Sequence, residues 1–179
     1  ALSVLGAWLL LTVSGILVIS NSSRGKVEKF ADLGRVYGDS ATKPIVILEP
    51  AAWVNKDFPL LQYIEGSPVT CSASESSLCQ RLREGKWTVV LYSLSCIECQ
   101  KFLSQLNRKA VQEGCDRIAI LELPPYGVLD ESLGLGSSVC RGRLRNSLEY
   151  FAETPLVFET DMGVVRQVRH GCADTSFFN

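Results

Sequence analysis

Apolar residues are distributed unevenly along the chain, and their pattern divides it into three parts. Residues 1–23 carry no charged side chain, and residues 2–20 are almost continuously apolar. As a helix this run would be about 28 Å long, close to the hydrocarbon thickness of a bilayer. The pattern therefore predicts a transmembrane anchor in residues 1–23, a charged juxtamembrane spacer in residues 24–43 and a globular body in residues 44–179.

Two other interpretations of the apolar run are a cleaved signal peptide and a buried core helix. Signal cores usually have about 7 to 15 apolar residues and follow a charged segment, and a core helix is rarely apolar on every face. Arg24, Lys26 and Lys29 follow the run and would favour a cytoplasmic body by the positive-inside rule. Charge alone leaves the orientation open.

The body alternates apolar runs of strand type with runs of helical spacing, an order typical of an α/β fold. Upstream, the spacer holds at most one short helix around Val27 to Val36. Within the body the pattern predicts, in chain order, an apolar run at Ile45–Leu48, a strand at Trp87–Tyr92, a helix that ends at Gly114, a strand at Ile118–Leu123, a helix at Leu144–Phe151, and a hairpin formed by Leu156–Thr160 and Val164–Val168.

The composition excludes some function classes and directs attention to cysteine. The formal net charge of −1 argues against a basic nucleic-acid binder. Seven cysteines are too few for a small disulfide-built scaffold but more than an ordinary reduced domain needs.

Cys96 and Cys99 form a Cys-x-x-Cys pair between the predicted strand and the helix that follows it. Unpaired N–H groups and the positive end of the dipole at a helix start stabilise a thiolate, so Cys96 is predicted to be a nucleophile. Cys99 lies one turn further along the same face and can attack a mixed disulfide at Cys96. The alternatives are a structural disulfide and half of a zinc site, although no second Cys-x-x-Cys is present.

With these residues and Thr154-Pro155 before the hairpin, the chain resembles the thioredoxin-like superfamily between Trp87 and Val168. The segment from Pro44 to Ile64 is similar to the N-terminal extension of membrane-anchored TlpA/ResA-type thiol-disulfide oxidoreductases of bacteria. The resemblance implies a central mixed sheet flanked by helices, and a cis Pro155 against the two cysteines. It also implies that the backbone of Thr154 pairs with a substrate, and that no dissociable cofactor is needed.

The chain departs from thioredoxins at several positions. Ser95 precedes the first cysteine in place of Trp, and Ile97-Glu98 replaces Gly-Pro between the cysteines. Val90 stands near the place where many relatives bury a carboxylate, and the segment after Val168 is too short for the usual closing helix. These departures leave open a non-catalytic thioredoxin-fold subunit of a membrane assembly.

Glu98 is predicted to modulate the thiol chemistry. A carboxylate in the active-site loop would oppose a negative charge on Cys96 and keep its pKa higher than in strongly oxidising relatives that have a basic residue there, which favours a reducing protein. The alternative is that Glu98 points into solvent and has little effect.

The other five cysteines would tend to pair in an oxidising compartment. Cys71 and Cys79 bracket one Ser-rich loop and are the first candidates for a structural disulfide, Cys140 with Cys172 the second, and Cys115 is a candidate buried thiol. Spacing alone does not decide among these pairings.

His170 is the single histidine, and with Cys96 and Cys99 it could form a copper(I) site. Copper-delivering relatives usually space their cysteines by three residues, so a solvated His170 is favoured and no metal is assigned.

These observations predict a bacterial inner-membrane protein whose domain faces the periplasm and exchanges thiols with the disulfides or dithiols of protein partners. The lipid bilayer would be contacted through residues 2–20. The family resemblance implies a DsbD-like membrane reductase as the electron donor.

Overall fold

The computed structural model describes residues 30–38, 43–65, 77–113, 117–127, 135 and 139–171, with the backbone alone for 107–113. The predicted transmembrane anchor lies outside the described residues. None of the helices in the described part of the chain is long and apolar enough to cross a lipid bilayer.

A central five-stranded mixed sheet carries the site. Its strands are β3 (Lys86–Tyr92), β4 (Ile118–Glu122), β5 (Val139–Arg143), β7 (Leu156–Asp161) and β8 (Val164–His170), arranged in the order β5-β4-β3-β7-β8. Strands β3, β4 and β5 are parallel, whereas β7 runs antiparallel to β3 and β8 antiparallel to β7. The predicted strands at Trp87–Tyr92 and Ile118–Leu123 are confirmed, and β5 is a strand that the sequence pattern did not indicate.

A second sheet has three strands, β1 (Gly34–Tyr37), β2 (Ile45–Leu48) and β6 (Glu149–Phe151), in the order β1-β2-β6. Strand β1 pairs antiparallel with β2, and β6 pairs parallel with β2. Part of the segment predicted as a spacer therefore pairs with the body.

Two helix predictions are wrong where the structure describes them. Residues 30–33 form a turn and 34–37 form β1, so the short helix around Val27 to Val36 is absent from its described part. The helix predicted at Leu144–Phe151 is replaced by a bridge from Leu144 to Ile64 and by β6. In β6 only Tyr150 is buried, and its two neighbours are exposed. The backbone of this segment pairs with β2 and does not form the hydrogen bonds of a helix.

Helices occupy a small part of the described chain. Helix α1 is the single turn Leu78–Arg81, and helix α2 is the long helix Ile97–Glu113. Gly114, the predicted end of this helix, lies outside the described residues. Two 3-10 helices, Pro50–Trp53 and Pro59–Tyr63, form the irregular stretch between β2 and α1.

The core lies on both faces of the central sheet, which explains why β3 is apolar without alternation. Val90 and Tyr92 pack on the face covered by α2, with Leu103 and Leu106. The opposite face packs against the 3-10 helices and the second sheet, where three aromatic rings meet: Trp53, Phe58 and Phe158.

The predicted hairpin is confirmed. Met162 and Gly163 both adopt positive φ, 53° and 77°, between β7 and β8. Two positive-φ residues are the signature of the tight turns that match strand twist. The hairpin places β7, with Thr154-Pro155 at its start, beside the central strand β3.

Candidate active site

Cys96 lies where strand β3 gives way to helix α2. The strand ends at Tyr92, and the amide of Cys96 donates to the carbonyl of Ser93 at 3.1 Å. The Cys96 carbonyl accepts the first helical hydrogen bond, from the amide of Gln100 at 3.2 Å. Cys96 is therefore the N-cap residue of α2.

The sulfur of Cys96 takes the place that a hydroxyl takes in an ordinary helix cap. The amide of Cys99, three residues on, donates to Sγ of Cys96 at 3.2 Å. Burial tends to raise the pKa of Cys96, but hydrogen bonds from the thiol and amide of Cys99 outweigh it, so the pKa lies below the ordinary value for cysteine. Cys96 is also partly exposed. It is therefore both accessible and disposed to form the thiolate that attacks disulfides.

The environment of Cys99 differs from that of Cys96 in both burial and pKa. Cys99 is 0% exposed and packs among Tyr92, Phe102 and Leu103. Burial and the hydrogen bond to Cys96 raise the pKa of Cys99 to about 12. The Cys99 thiol is therefore protonated near neutral pH.

The Thr154-Pro155 segment faces the two cysteines, as the family resemblance implies. The peptide bond between Thr154 and Pro155 is cis, and the carbonyl oxygen of Thr154 lies 3.4 Å from Sγ of Cys96. The amide of Gly171, at the end of β8, donates to the carbonyl of Pro155 at 2.9 Å. Three separate segments, the start of α2, the start of β7 and the end of β8, thus meet at the site.

Glu98 does not act on Cys96 through its carboxylate. Its Oε1 lies 2.8 Å from Nζ of Lys101, and both side chains are more than half exposed. The backbone amide of Glu98 contributes instead, as one of the hydrogen bonds that lower the pKa of Cys96. This placement favours the alternative that Glu98 has little effect on the thiol, because the helix turns the carboxylate toward Lys101 and the amide toward the sulfur. That the pKa of Cys96 is higher than in strongly oxidising relatives stays a prediction.

The first predicted structural disulfide is not formed. Cys79 carries a free thiol on α1, packed against the main core, and burial raises its pKa. Cys71, its predicted partner, lies outside the described residues. Cys140, in β5, is disulfide-bonded, and its partner is not among the described residues. Cys115 and Cys172 also lie outside the described residues.

His170 lies at the end of β8, more than half exposed, with Nδ1 3.5 Å from a carboxylate oxygen of Glu153. In the part of the chain that the structure describes, no three His, Cys, Asp or Glu side chains are grouped to hold a metal ion. The copper and zinc alternatives therefore find no support among these residues.

A cleft of about 430 Å³ opens beside Cys96, and its other walls were not predicted from the sequence. One wall is formed by the loops that follow β3 and β4, the other by β6 and the residues that lead from it to Thr154. The lining residues besides Cys96 and Thr154 include Ser93, Leu123, Pro124, Glu149, Tyr150, Phe151 and Ala152. The sequence signal that could have indicated this wall is an aromatic residue, Phe151, three residues before Thr154. Its side chain is exposed in the structure.

Two solved structures are similar to this chain. The reduced 2-Cys peroxiredoxin of Plasmodium vivax shares 15% sequence identity at a TM-score of 0.41, over 66% of this chain and 72% of that chain. A thioredoxin-like protein in the oxidized form, determined in solution, shares 12% identity at a TM-score of 0.39, over 64% of this chain and 84% of that one. No protein-family model matches the sequence, and no curated protein matches it.

Both TM-scores are low, so the assignment of the fold depends on features of this chain itself. The mixed sheet has a central strand that leads into a Cys-x-x-Cys at a helix start, and a cis Thr154–Pro155 bond faces the first cysteine. These features define an α/β domain with the arrangement that the resemblance to the thioredoxin-like superfamily implies.

Proposed function

We propose that the chain is a thiol-disulfide oxidoreductase that acts on protein partners through Cys96 and Cys99. The Cys96 thiolate attacks one sulfur of a substrate disulfide, which forms a mixed disulfide and releases the other substrate sulfur as a thiolate. Cys99 then gives up its proton and attacks Sγ of Cys96. The substrate leaves as a dithiol with two electrons gained, and the protein keeps a Cys96–Cys99 disulfide.

One observation carries this proposal: the two cysteines are in contact, and their pKa values are shifted in opposite directions. A partly exposed sulfur of lowered pKa lies beside a buried thiol whose pKa is about 12, and this difference separates the roles of attacking and resolving group. A structural disulfide requires no such difference between its two halves. The order of the two steps follows, because only Cys96 is both accessible and readily ionised.

The proposed direction of electron flow is reduction of the partner. Among the described residues, the groups that lower the pKa of Cys96 do so through hydrogen bonds, and none of them is a cationic side chain. Strong oxidants stabilise their thiolate much further, which lowers the free energy of the dithiol form. We expect the pair to prefer the disulfide form relative to such oxidants.

The cellular setting is part of the proposal. Residues 2–20 would anchor the domain in a bacterial inner membrane with the body toward the periplasm, in the manner of TlpA/ResA-type proteins. A DsbD-like membrane reductase would return the Cys96–Cys99 disulfide to the dithiol. Protease accessibility and cysteine labelling of the full chain in spheroplasts test the topology, and labelling confined to the cytoplasmic side would contradict it.

The reduction potential tests the chemistry. The full chain is equilibrated with dithiothreitol or glutathione redox buffers, and free thiols are then alkylated and weighed by mass spectrometry. A reversible two-electron couple below about −200 mV is expected for a reductant, whereas a value near about −120 mV would identify an oxidant. Cys96→Ser should abolish exchange, and Cys99→Ser should stop it at the mixed disulfide. If Cys96 and Cys99 never pair, the chain is not an oxidoreductase of this kind, and the non-catalytic subunit takes its place.

A further inference from the structure

The cleft beside Cys96 has a charged end away from the thiol. Strand β6 begins at Glu149, and the chain continues from there to Thr154, whose carbonyl lies beside Cys96. These five steps correspond to about 16 Å along an extended chain. The amide of Glu149 donates to the carbonyl of Pro44 at 2.9 Å, and Lys43 directly precedes Pro44. A cation and a carboxylate, Lys43 and Glu149, therefore line the same end of the cleft.

Within the described part of the chain, neither of these charges forms an ion pair. Lys43 donates from Nζ to Oδ1 of Asn146 at 2.6 Å, which leaves two of its three N–H groups for a ligand. The side-chain amide nitrogen of Asn146, which also lines the cleft, is a further donor. The exposed Glu149 supplies an acceptor of negative charge. This end of the cleft thus offers donors for one carboxylate and an acceptor for one ammonium group.

Hydrogen bonds to distant segments hold the charged end in place. The amide of Asn146 donates to Oε1 of Glu65 at 3.4 Å, and the amide of Arg145 donates to the carbonyl of Tyr63 at 2.7 Å. The phenol of Tyr150 donates to the carbonyl of Arg145 at 3.2 Å. Polar groups that are fixed before a ligand arrives lose less conformational entropy when it binds.

The walls between the charged end and the thiol are mainly apolar. Phe151, which is 67% exposed, and Ala152 lie on one wall, and Leu123 and Pro124 lie on the other. The cleft volume of about 430 Å³ is within the range of small-molecule sites. A ligand that fits these regions has a sulfur at one end, a short methylene arm in the middle, and a zwitterionic amino-acid group at the other end.

We propose that the cleft binds low-molecular-weight disulfides by a zwitterionic amino-acid end, with Lys43 and Asn146 on its carboxylate and Glu149 on its ammonium group. This inference rests on the proposed thiol exchange and adds small disulfides to its substrates. The Cys96 thiolate attacks the ligand sulfur, a disulfide between Cys96 and the ligand forms, and the other half of the small disulfide leaves as a thiolate. The charged residues determine which small disulfide reacts fastest, and they take no part in the bond changes.

Four mixed disulfides test the two charges separately. Each joins a cysteine amide to 2-nitro-5-thiobenzoate, and attack on the cysteine sulfur by Cys96 of the full-length Cys99→Ser chain releases the chromophore. The cysteine nitrogen carries glutamate linked through its side chain (zwitterionic), glutaryl (carboxylate alone), 4-aminobutanoyl (ammonium alone) or butanoyl (neutral). Because each exposed charge pair contributes about twofold to fivefold, we expect the zwitterion to react about fourfold to twentyfold faster than the neutral compound.

Two variants in the Cys99→Ser background assign each charge of the ligand to its partner. Lys43→Met should remove the advantage given by the carboxylate and keep that of the ammonium group, and Glu149→Gln should do the reverse. Lys86→Met and Glu84→Gln are the matched controls, because both residues are exposed at or just before the start of β3, whose other end leads to Cys96. Both controls should keep the wild-type order of rates. An increase in salt from about 0.05 to about 0.5 M should reduce the advantage of the zwitterion.

The neutral compound separates this inference from the proposed function, and its rate also shows that each variant is folded. If all four compounds react alike at Cys96, or if Lys43→Met and Glu149→Gln keep the wild-type order, the binding proposal is overturned and thiol exchange stands. If none reacts faster than with the Cys96→Ser, Cys99→Ser double variant, the proposed function fails. Calorimetric titration with the four compounds that carry Ser in place of cysteine then tests the cleft alone. Binding selective for the zwitterion and lost in Lys43→Met would support the site, and equal or absent binding would overturn it.

Discussion

The backbone N–H of Cys99 donates to the sulfur of Cys96 across 3.2 Å, so the first cysteine caps the helix that carries the second. The two residues occupy the N-cap and third positions of α2, between which a capping side chain normally accepts a hydrogen bond. The two-residue spacing therefore has two effects at once: it brings the resolving thiol within one turn, and it stabilises the attacking thiolate through the backbone. The second effect needs no particular side chain at Ile97 or Glu98.

Removal of the Cys99 thiol should raise the pKa of Cys96. In Cys99→Ala the amide still donates to the sulfur, but the hydrogen bond from the Cys99 side chain is lost. Cys99→Ser retains a donor and should raise the pKa less. The ultraviolet absorbance of the thiolate against pH measures both variants, and a pKa of Cys96 in Cys99→Ala at or below that of the wild type would show that the thiol of Cys99 contributes nothing.

Replacement of Glu98 by Gln should leave the thiol nearly unchanged. The carboxylate is exposed and paired with Lys101, so we expect the pKa of Cys96 to move by about half a unit at most. The helix should lose about 0.5 kcal/mol from the missing pair. Lys101→Met is the matched control, because it frees the same carboxylate without removing it. A fall of about one pKa unit or more in Glu98→Gln would restore the electrostatic role that the sequence suggested.

The parts of the site that follow from local spacing could be predicted from the sequence. A continuous apolar run marked β3, helical spacing after Cys96 marked α2, and the Thr154-Pro155 pair carried the family resemblance. The direction of the Glu98 side chain could not be predicted in this way. It depends on the face of α2 that Glu98 shares with Lys101, whereas the one-dimensional pattern treats every residue between the cysteines as near the thiol.

The second wall of the cleft was missed because it depends on pairing between distant strands. Leu144, Leu148 and Phe151 have the i, i+4, i+7 spacing that is also typical of a short helix. The parallel pairing of β6 with β2, about one hundred residues earlier in the chain, decides between the two structures, and such long-range partners override local propensity. β1 was missed for the same reason.

An added methyl group at Gly171 should displace Phe102 and Pro155, which pack beside the two cysteines. A Cβ built there would lie 2.9 Å from both a ring carbon of Phe102 and Cγ of Pro155. Since both neighbours are packed, Gly171→Ala should destabilise the fold by about 1 to 3 kcal/mol and displace Pro155 relative to Cys96. Urea unfolding and the exchange rate measure the two effects. Arg166→Ala, exposed on the same strand β8, is the control and should stay within about 0.5 kcal/mol. If Gly171→Ala changes neither the free energy of unfolding nor the exchange rate, Phe102 and Pro155 make room for the methyl group and the prediction is wrong.

The ion pair between Glu122 and Arg143 should stabilise the end of β4, which leads into one wall of the cleft. The Glu122 side chain is 2% exposed, accepts from the amide of Gly127 at 2.9 Å, and lies 3.0 Å from Nε of Arg143. Arg143→Met would leave this carboxylate buried without its cation, which we expect to destabilise the fold by about 3 kcal/mol. The value is at the low end for such a loss because Arg143 is 45% exposed.

The second substitution in this pair distinguishes charge from packing. Glu122→Gln in the Arg143→Met background removes the unpaired charge but keeps an acceptor for Gly127, so it should recover part of the lost free energy of unfolding. Urea unfolding of the two single variants and the double variant completes the cycle. If the double variant is no more stable than Arg143→Met, the contact of Arg143 with the ring of Tyr126 carries the loss instead.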